Sequence, residues 1–342
     1  MKIAIVGVTG VVGRSMIKVL EEDNITADYY LFASARSAGK KMKLLGKELT
    51  VLELSKANVE KVMPDFALFA ADDGAITLEY VPFFAELGCT VIDNSSVFRQ
   101  DPNIPLVVPE CNERDALNNR GRIIANPNCS TIGAIVALKP LDDAFSIKRV
   151  IYSTYQAVSG AGQTGVDDYQ AGFNASKIVN GHVSVDKHEL QGSPYPIFNN
   201  LIPQIDSFLD NGNTKEEEKM INETRKILHK PNLAISATTV RVPIENCHSV
   251  SINVEFEKGF EINDVKEILK KAPGVIFYDD DKYPMPILAN GRNEVLVGRV
   301  RMDHSHPHTI NLFTVSDNTR KGASVNAVQI LKLFLRGDVR VV

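Results

Sequence analysis

A chain of 342 residues with 38 Lys+Arg, 42 Asp+Glu and 44% hydrophobic residues carries a formal charge of −4. That balance supplies a core without staples and excludes a disordered, collagen-like or low-complexity chain. An acidic total with no block of consecutive Lys/Arg argues against nucleic acid as a partner, and no apolar run approaches the roughly 18 residues of a membrane span.

From the N-terminus, Lys2–Val6 predicts a buried strand, followed by the turn Gly7-Val8-Thr9-Gly10-Val11-Val12-Gly13. Val12, Met16, Ile17, Val19 and Leu20 then recur at helical spacing up to Glu22. The apolar start is too short, and runs too soon into Gly and Thr, for a signal peptide. Strands are expected at Tyr29–Ala33, Phe66–Ala71, Thr90–Asp93 and Ile123–Ala125, with a helix near Ala75–Leu87. Strands alternating with helices indicate a doubly wound parallel sheet. After Asn126-Pro127-Asn128 a helix is expected from Ser130 to Lys139, stopping before Pro140. Strands follow at Lys148–Gln156, Ala234–Pro243, Val250–Phe256, Leu296–Met302 and Thr309–Val315, reading as long antiparallel strands with few helices between them. Gly181–Asp210, rich in Pro, Asn and Gly, reads as an irregular excursion. Thr214-Lys215-Glu216-Glu217 is a capping box opening a helix to about His229, and Ser324–Leu335 is a strongly amphipathic helix suited to pack back on the first domain.

Four segments can carry chemistry. Gly7-x-x-Gly10-x-x-Gly13 at the first strand–helix turn suits a pyrophosphate, because small residues let backbone N–H groups approach it at the positive end of a helix. The second strand ends on Ser34, Arg36 and Ser37, where an NAD enzyme usually has an acidic residue for the ribose hydroxyl. An arginine and two hydroxyls suit a 2′-phosphate, so NADP is expected. Cys129, in Asn126-Pro127-Asn128-Cys129-Ser130-Thr131, opens a predicted helix whose N-terminus favours the nucleophilic thiolate. A neighbouring Gln could position the substrate oxygen. Arg241 and His248 bracket one short segment and offer an anion clamp and a proton acceptor.

The remaining cysteines, Cys89, Cys111 and Cys247, are isolated, and none of the four forms a CxxC or other metal spacing; this suits a reducing cytoplasm. Cys89 and Cys111 read as small buried hydrophobes. Asp303-His304-Ser305-His306-Pro307-His308 would put three His on one side of a strand, but Pro307 interrupts that geometry, and no metal is expected. Asp279-Asp280-Asp281-Lys282 reads as a solvated turn.

The chain as a whole resembles the aspartate-β-semialdehyde dehydrogenase family. The likeness is carried by GVTGVVG, SARSAGK, SSVFR around Arg99, NPNCST, YQAVSGAGQTG, EEEKM, RVPIENCHS and SDNTRKGAS, in the family's order over essentially the whole length. The resemblance implies a Rossmann-type doubly wound NADP-binding domain, residues 1–128 completed by a C-terminal helix within 322–342, and a mixed α+β catalytic and dimerisation domain, 129–321. Cys129 matches the acyl-forming nucleophile, Gln156 the residue that positions substrate beside it, and His248 the general acid–base. Arg241 matches the clamp on the substrate α-carboxylate, Arg99 and Lys219 the phosphate-binding pair, and Glu216 the acidic residue of the substrate-binding helix. Thr9, Gly10, Val11, Val12, Arg36, Ser37, Ser159, Gly160 and Asn318 lie where the family holds NADP. The implied activity is NADP-dependent reductive dephosphorylation of aspartyl phosphate to aspartate semialdehyde and phosphate, in lysine, threonine, methionine and diaminopimelate synthesis, by a cytoplasmic homodimer with no membrane partner. Two alternatives stand beside it: a related acyl-phosphate reductase of the N-acetylglutamyl phosphate type, and a non-catalytic NADP-binding redox sensor with Cys129 as the sensing thiol.

Overall fold

A computed structural model describes every residue except 72, 120, 175–177, 180–181, 184–194, 280 and 336–342. It divides into two compact units, Met1–Asn128 with Ala323–Val342, and Cys129–Gly322.

The first unit is built on β1 (Lys2–Val6), α1 (Val11–Glu22), β2 (Asp28–Ala33), β3 (Lys41–Leu44), β4 (Lys47–Glu53), α2 (Lys56–Val62), β5 (Phe66–Phe69), α3 (Gly74–Glu86), β6 (Thr90–Asp93), α4 (Pro109–Leu117) and β7 (Ile123–Ala125). The strands form one sheet in the order β3-β4-β2-β1-β5-β6-β7, parallel except for the β3–β4 hairpin. Alternation along β1 decides the two faces. Ile3 and Ile5 enter one apolar cluster with α1 and the C-terminal helix Val325–Leu335, while Ala4 and Val6 enter another with Phe32, Phe69 and Phe84. The sequence reading missed β3, β4, α2 and α4. In the β3–β4 hairpin, Lys41, Lys43, Lys47 and Glu48 are exposed, so little apolar signal marks it. The C-terminal helix is buried nearly all round rather than strongly amphipathic, with Val325, Asn326, Ala327, Val328, Ile330, Leu331 and Leu333 all inside. Asn326 is tolerated there because its amide donates to Val107 O and Asn126 Oδ1, at 2.9 and 2.7 Å.

The second unit comprises α5 (Cys129–Phe145), β8 (Ile147–Gln156), α6 (Gly162–Asn174), β9 (Ile178–Val179), β10 (His182–Val183), α7 (Lys215–Ile227), β11 (Ala234–Arg241), β12 (His248–Phe256), α8 (Ile262–Lys271), β13 (Val275–Phe277), α9 (Pro286–Ala289), β14 (Val295–Met302) and β15 (Thr309–Ser316). Six strands form a mixed sheet, β11-β8-β12-β15-β14-β13, in which β11–β8 and β13–β14 are parallel, against the expectation of antiparallel strands with few helices. The connection from β8 to β11 carries α7, and that from β13 to β14 carries α9. β9 and β10 pair as a separate two-stranded ribbon. β10 falls within the expected irregular excursion and β9 just before it; part of that excursion lies outside the described residues.

α5 runs six residues past its expected end at Lys139 and carries Pro140 inside it. An interior proline costs a helix about 3 kcal/mol. Contacts distant in sequence offset that: Leu141 is fully buried, Phe145 packs against Phe256 and Phe260 with ring centroids 5.7 and 5.4 Å away, and Asp142 accepts from Lys230 and from Ile147 N–H. β14 and β15 end and begin around Asp303–His308, so the three His lie in a turn and not a strand. Asp279 of the expected solvated turn pairs with Lys266 and Lys270. Cys89 is buried, whereas Cys111 is only half-buried.

Candidate active site

In the first unit the glycine turn sits where the sheet changes direction: the chain runs outward from β1 to β2 and returns to β5 on the other side. Crevices of this kind take ligands in doubly wound sheets. Gly7 has φ +78°, and a Cβ there would come within 2.9 Å of the Ala70 and Ala71 backbone. A Cβ on Gly13 would come within 2.4 Å of Gly7 O. Gly10 is the N-cap of α1 and provides no side-chain cap, so the first N–H groups of Val11 and Val12 have no capping side chain competing with an anion. Thr9 is half-buried, and its carbonyl accepts from Arg14. Arg36 and Ser37 lie in a 3₁₀ turn, Ala35–Ser37, just beyond β2. Since Val6 pairs with Phe32, this turn and the glycine turn both follow the C-terminal ends of adjacent strands. Ser37 is buried, and Arg36 is exposed with no hydrogen bond or ion pair among the described residues. Arg99, in the loop after β6, is buried and donates from Nη2 to Asn94 O at 2.7 Å. Beside it, burial raises the Asp93 carboxyl above its ordinary range despite the hydrogen bonds from Ser95.

The second unit brings Cys129, Gln156, Ser159, Gly160, Glu216, Lys219, Arg241, His248 and Asn318 into one unit, and several into direct contact. Period-two alternation buries Val150, Tyr152, Thr154 and Gln156 along β8. Residues 216, 220 and 224 of α7 lie one turn apart on its buried face. Tyr152 therefore meets Thr224 at 3.1 Å, and Gln156, four residues on, meets Glu216. The start of α7 is fixed by the capping box: Thr214 accepts from Glu217 N–H, and Glu217 accepts from Thr214 N–H at 2.7 Å.

Glu216 dictates how Gln156 works. A carboxylate only accepts, so the amide nitrogen must face it. Gln156 Nε2 donates to Glu216 Oε1 at 3.0 Å and to Thr154 Oγ1 at 3.4 Å, which leaves the amide oxygen as the group presented elsewhere. Glu216 Oε2 accepts from Lys219 Nζ at 3.4 Å, and Asp206 holds the same ammonium at 2.9 Å. Lys219 in turn lowers the Asp206 pKa against the opposing effect of its burial.

Arg241 ends β11 in register with Gln156. It is buried, and Nη1 donates to Ala157 O at 2.7 Å. Burial lowers its pKa, while Glu216 and then Cys129 favour its charged form. The guanidinium and the Cys129 sulfur are thus electrostatic partners. Cys129 is half-buried at the first position of α5. Gly322 lies against it: a Cβ there would come within 2.7 Å of Cys129 Cβ.

His248 opens β12 and is fully buried. Its Nδ1 accepts from Ala157 N–H at 3.1 Å, and Nε2 has no hydrogen-bond partner among the described residues. A neutral ring so held carries its proton on Nε2. Burial first, and Arg241 second, push the imidazole well below its ordinary pKa. Gly160 roofs both groups: a Cβ there would fall 2.6 Å from Arg241 Nη1 and 3.1 Å from His248 Nε2. Ala157, which holds Arg241 by its carbonyl and His248 by its N–H, was not singled out in the sequence, since a backbone contact leaves no side-chain signal. Gly322 and Asp206 were missed as well; the first stands inside the SDNTRKGAS segment, directly after Arg320-Lys321.

Ser159 and Asn318 face each other, with Asn318 Nδ2 donating to Ser159 Oγ at 3.0 Å and Asn318 Oδ1 accepting from Cys247 N–H at 2.9 Å.

Residues 2–119 match the family model described as semialdehyde dehydrogenase, NAD binding domain, and residues 138–321 that described as semialdehyde dehydrogenase, dimerisation domain. The aspartate-semialdehyde dehydrogenase of Aquifex aeolicus (strain VF5) is 49% identical, with 98% of each chain covered. That of Campylobacter jejuni is 48% identical over 98% of this chain and 97% of its own. A crystal structure of aspartate semialdehyde dehydrogenase II from Vibrio cholerae complexed with ASA superposes with a TM-score of 0.91 at 41% identity, covering 98% of both chains.

Proposed function

The chain belongs to the aspartate-semialdehyde dehydrogenase family of oxidoreductases, and from that premise we propose that it reduces L-aspartyl-4-phosphate to L-aspartate-4-semialdehyde with release of phosphate, through a thioester on Cys129, and runs the phosphorylating oxidation in reverse. The Vibrio cholerae relative was solved with ASA, which supports the substrate. The observation that carries the roles is the convergence of Arg241 and His248 on Ala157 and Gly160, with Arg241 electrostatically tied to Cys129.

Cys129 attacks the acyl phosphate as a thiolate, forming a C–S bond as phosphate leaves; one hard displacement becomes two easier ones. Arg241 clamps the substrate α-carboxylate with the guanidinium nitrogens not committed to Ala157. Gln156 Oε1 and Glu216 suit the α-ammonium group. Lys219 and Arg99 each offer a cation for phosphate.

NADP is the expected cofactor. The tight glycine turn, where Cβ atoms at Gly7 and Gly13 would collide with neighbouring backbone, the N-cap without a side chain, and the exposed Arg36, which has no partner among the described residues, fit a dinucleotide with a 2′-phosphate; Thr9, Gly10, Val11, Val12, Arg36 and Ser37 would hold it. When bound it supplies the hydride that reduces the thioester carbonyl. The carbonyl oxygen then bears the negative charge until the C–S bond breaks and the sulfur leaves as thiolate. His248 Nε2–H donates a hydrogen bond to that oxygen and keeps its proton as the charge returns to sulfur. No proton need be accepted in this sequence, which matches a ring kept neutral by burial. The match to the dimerisation-domain family supports assembly as a homodimer.

The test is reduction of NADP⁺ at the nicotinamide absorbance band with aspartate semialdehyde and phosphate. Wild type is expected to turn over, Cys129→Ser is not, and N-acetylglutamate semialdehyde is expected to be a poor substitute. A Cys129→Ser protein as active as wild type would overturn the thioester.

A further inference from the structure

Lys219, whose ammonium is proposed to meet phosphate, is already engaged by two carboxylates. Nζ donates to Asp206 Oδ2 at 2.9 Å and to Glu216 Oε2 at 3.4 Å. The shorter of these bonds goes to a residue that no step of the proposed chemistry uses. Glu216 is buried, whereas Asp206 is exposed.

Asp206 is held in place from both sides. Upstream, Ile202 N–H donates to Arg241 O at 3.0 Å and Arg241 N–H donates to Ile202 O at 2.8 Å, so the segment is bonded to the end of β11 beside the proposed carboxylate clamp. Ile202 and Ile205 are buried and anchor it. Downstream, Ser207 O accepts from Lys215 N–H at 3.0 Å, which ties the segment to the first turn of α7, the helix that carries Lys219. Between these ties Asp206 has φ +67°, a left-handed conformation that Asp tolerates better than most residues with a Cβ. Its Oδ1 accepts from Ser207 N–H at 2.8 Å, while Oδ2 faces Lys219. Both oxygens are engaged, so the carboxylate cannot turn aside without breaking a bond.

We infer that Asp206 is a positioning residue that serves as the resting counter-ion of Lys219 and competes with phosphate for it, and so sets how loosely phosphate is held. The inference rests on the proposed phosphate role of Lys219. The N–H groups of an ammonium diverge at tetrahedral angles, so an anion bonded to Lys219 alongside Asp206 would stand ~5 Å from that carboxylate, where like charges repel. A phosphate dianion must either displace Oδ2 from Nζ or bear that repulsion. Both weaken its binding. A loosely held phosphate leaves readily once the thioester has formed.

The experiment measures semialdehyde oxidation in steady state with inorganic phosphate varied, in wild type, D206N, D206A, K219A and K219A/D206N. Wild-type turnover, its loss in Cys129→Ser and a raised KM for phosphate in K219A test the underlying reading; with those in hand the Asp206 variants test only this inference. D206N keeps the shape, suits the left-handed backbone and still accepts from Ser207 N–H, but lacks the charge. Its KM for phosphate is expected to fall roughly three- to fivefold, the scale of a partly exposed ion pair. Its kcat and its KM values for semialdehyde and NADP⁺ should stay unchanged, because a repulsion felt equally by bound phosphate and by the transition state moves KM alone. D206A removes the charge through a different side chain and should move the KM for phosphate in the same direction, which keeps the inference testable should D206N fail to fold. In K219A/D206N the gain over K219A should shrink. A purely structural segment predicts a loss of kcat or raised KM values for all substrates, and not tighter phosphate. A KM for phosphate that rises or stays at the wild-type value in folded D206N would overturn the inference, as would an undiminished fall in the K219A background.

Discussion

Gly322→Ala probes how the nucleophile is placed. The new Cβ would lie 2.7 Å from Cys129 Cβ and 3.2 Å from Cys129 Cα, neither of which is the free end of a flexible side chain. Carbon atoms pack at about 3.5 Å or more, so the two Cβ atoms must separate by roughly 0.8 Å. A displacement near 1 Å at a reacting group costs on the order of 100-fold in rate, equivalent to about 2.7 kcal/mol of activation free energy. Overpacking of this kind also costs about 1–3 kcal/mol in stability. The assay is kcat for semialdehyde oxidation alongside the rate of Cys129 alkylation by iodoacetamide, with urea unfolding to confirm that the variant is folded. A fall in kcat of about two decades is expected, with KM for NADP⁺ unchanged, because the cofactor turn lies elsewhere in the chain. A folded Gly322→Ala protein with wild-type kcat and wild-type alkylation would show that Gly322 does not set the position of the sulfur.

Two further perturbations address the cofactor and the buried histidine. Arg36→Ala removes an exposed cation, unpartnered among the described residues, from the turn after β2; KM for NADP⁺ should rise about 10-fold with little change for NAD⁺, and equal effects on the two would remove Arg36 from 2′-phosphate recognition. His248 is neutral when folded because burial and Arg241 lower its pKa, whereas in the unfolded chain it titrates near 6.5. As pH falls through that unfolded value the unfolded state binds the proton first, so the stability that the neutral ring contributes at pH 7–8 is lost on acidification, by at most about 1.4 kcal/mol per pH unit, until the folded pKa is reached. Urea midpoints measured from pH 8 to pH 5 should fall less steeply in His248→Gln than in wild type; parallel curves would refute the buried neutral ring.

What could be read without coordinates was local. The buried strand Lys2–Val6, the glycine turn after it, and the Thr214–Glu217 capping box each depend on residues within a few positions of one another, where backbone sterics and side-chain period act directly. The fold class followed from strands alternating with helices, and the family from the set of motifs spread over the whole chain. The hairpin of Lys41–Leu44 and Lys47–Glu53 escaped because its charged positions dilute the apolar pattern, and the helix through Pro140 because its stabilisation comes from Phe256, Phe260 and Lys230, more than 80 residues away. The site divides in the same way. Residue types at Cys129, Gln156, Arg241 and His248 announced a chemistry, but which atoms are committed was decided by partners distant in the chain: Glu216 turns the Gln156 amide, and Ala157 assigns the His248 proton to Nε2. A sequence specifies donors and acceptors residue by residue; only folding determines which of them have already met.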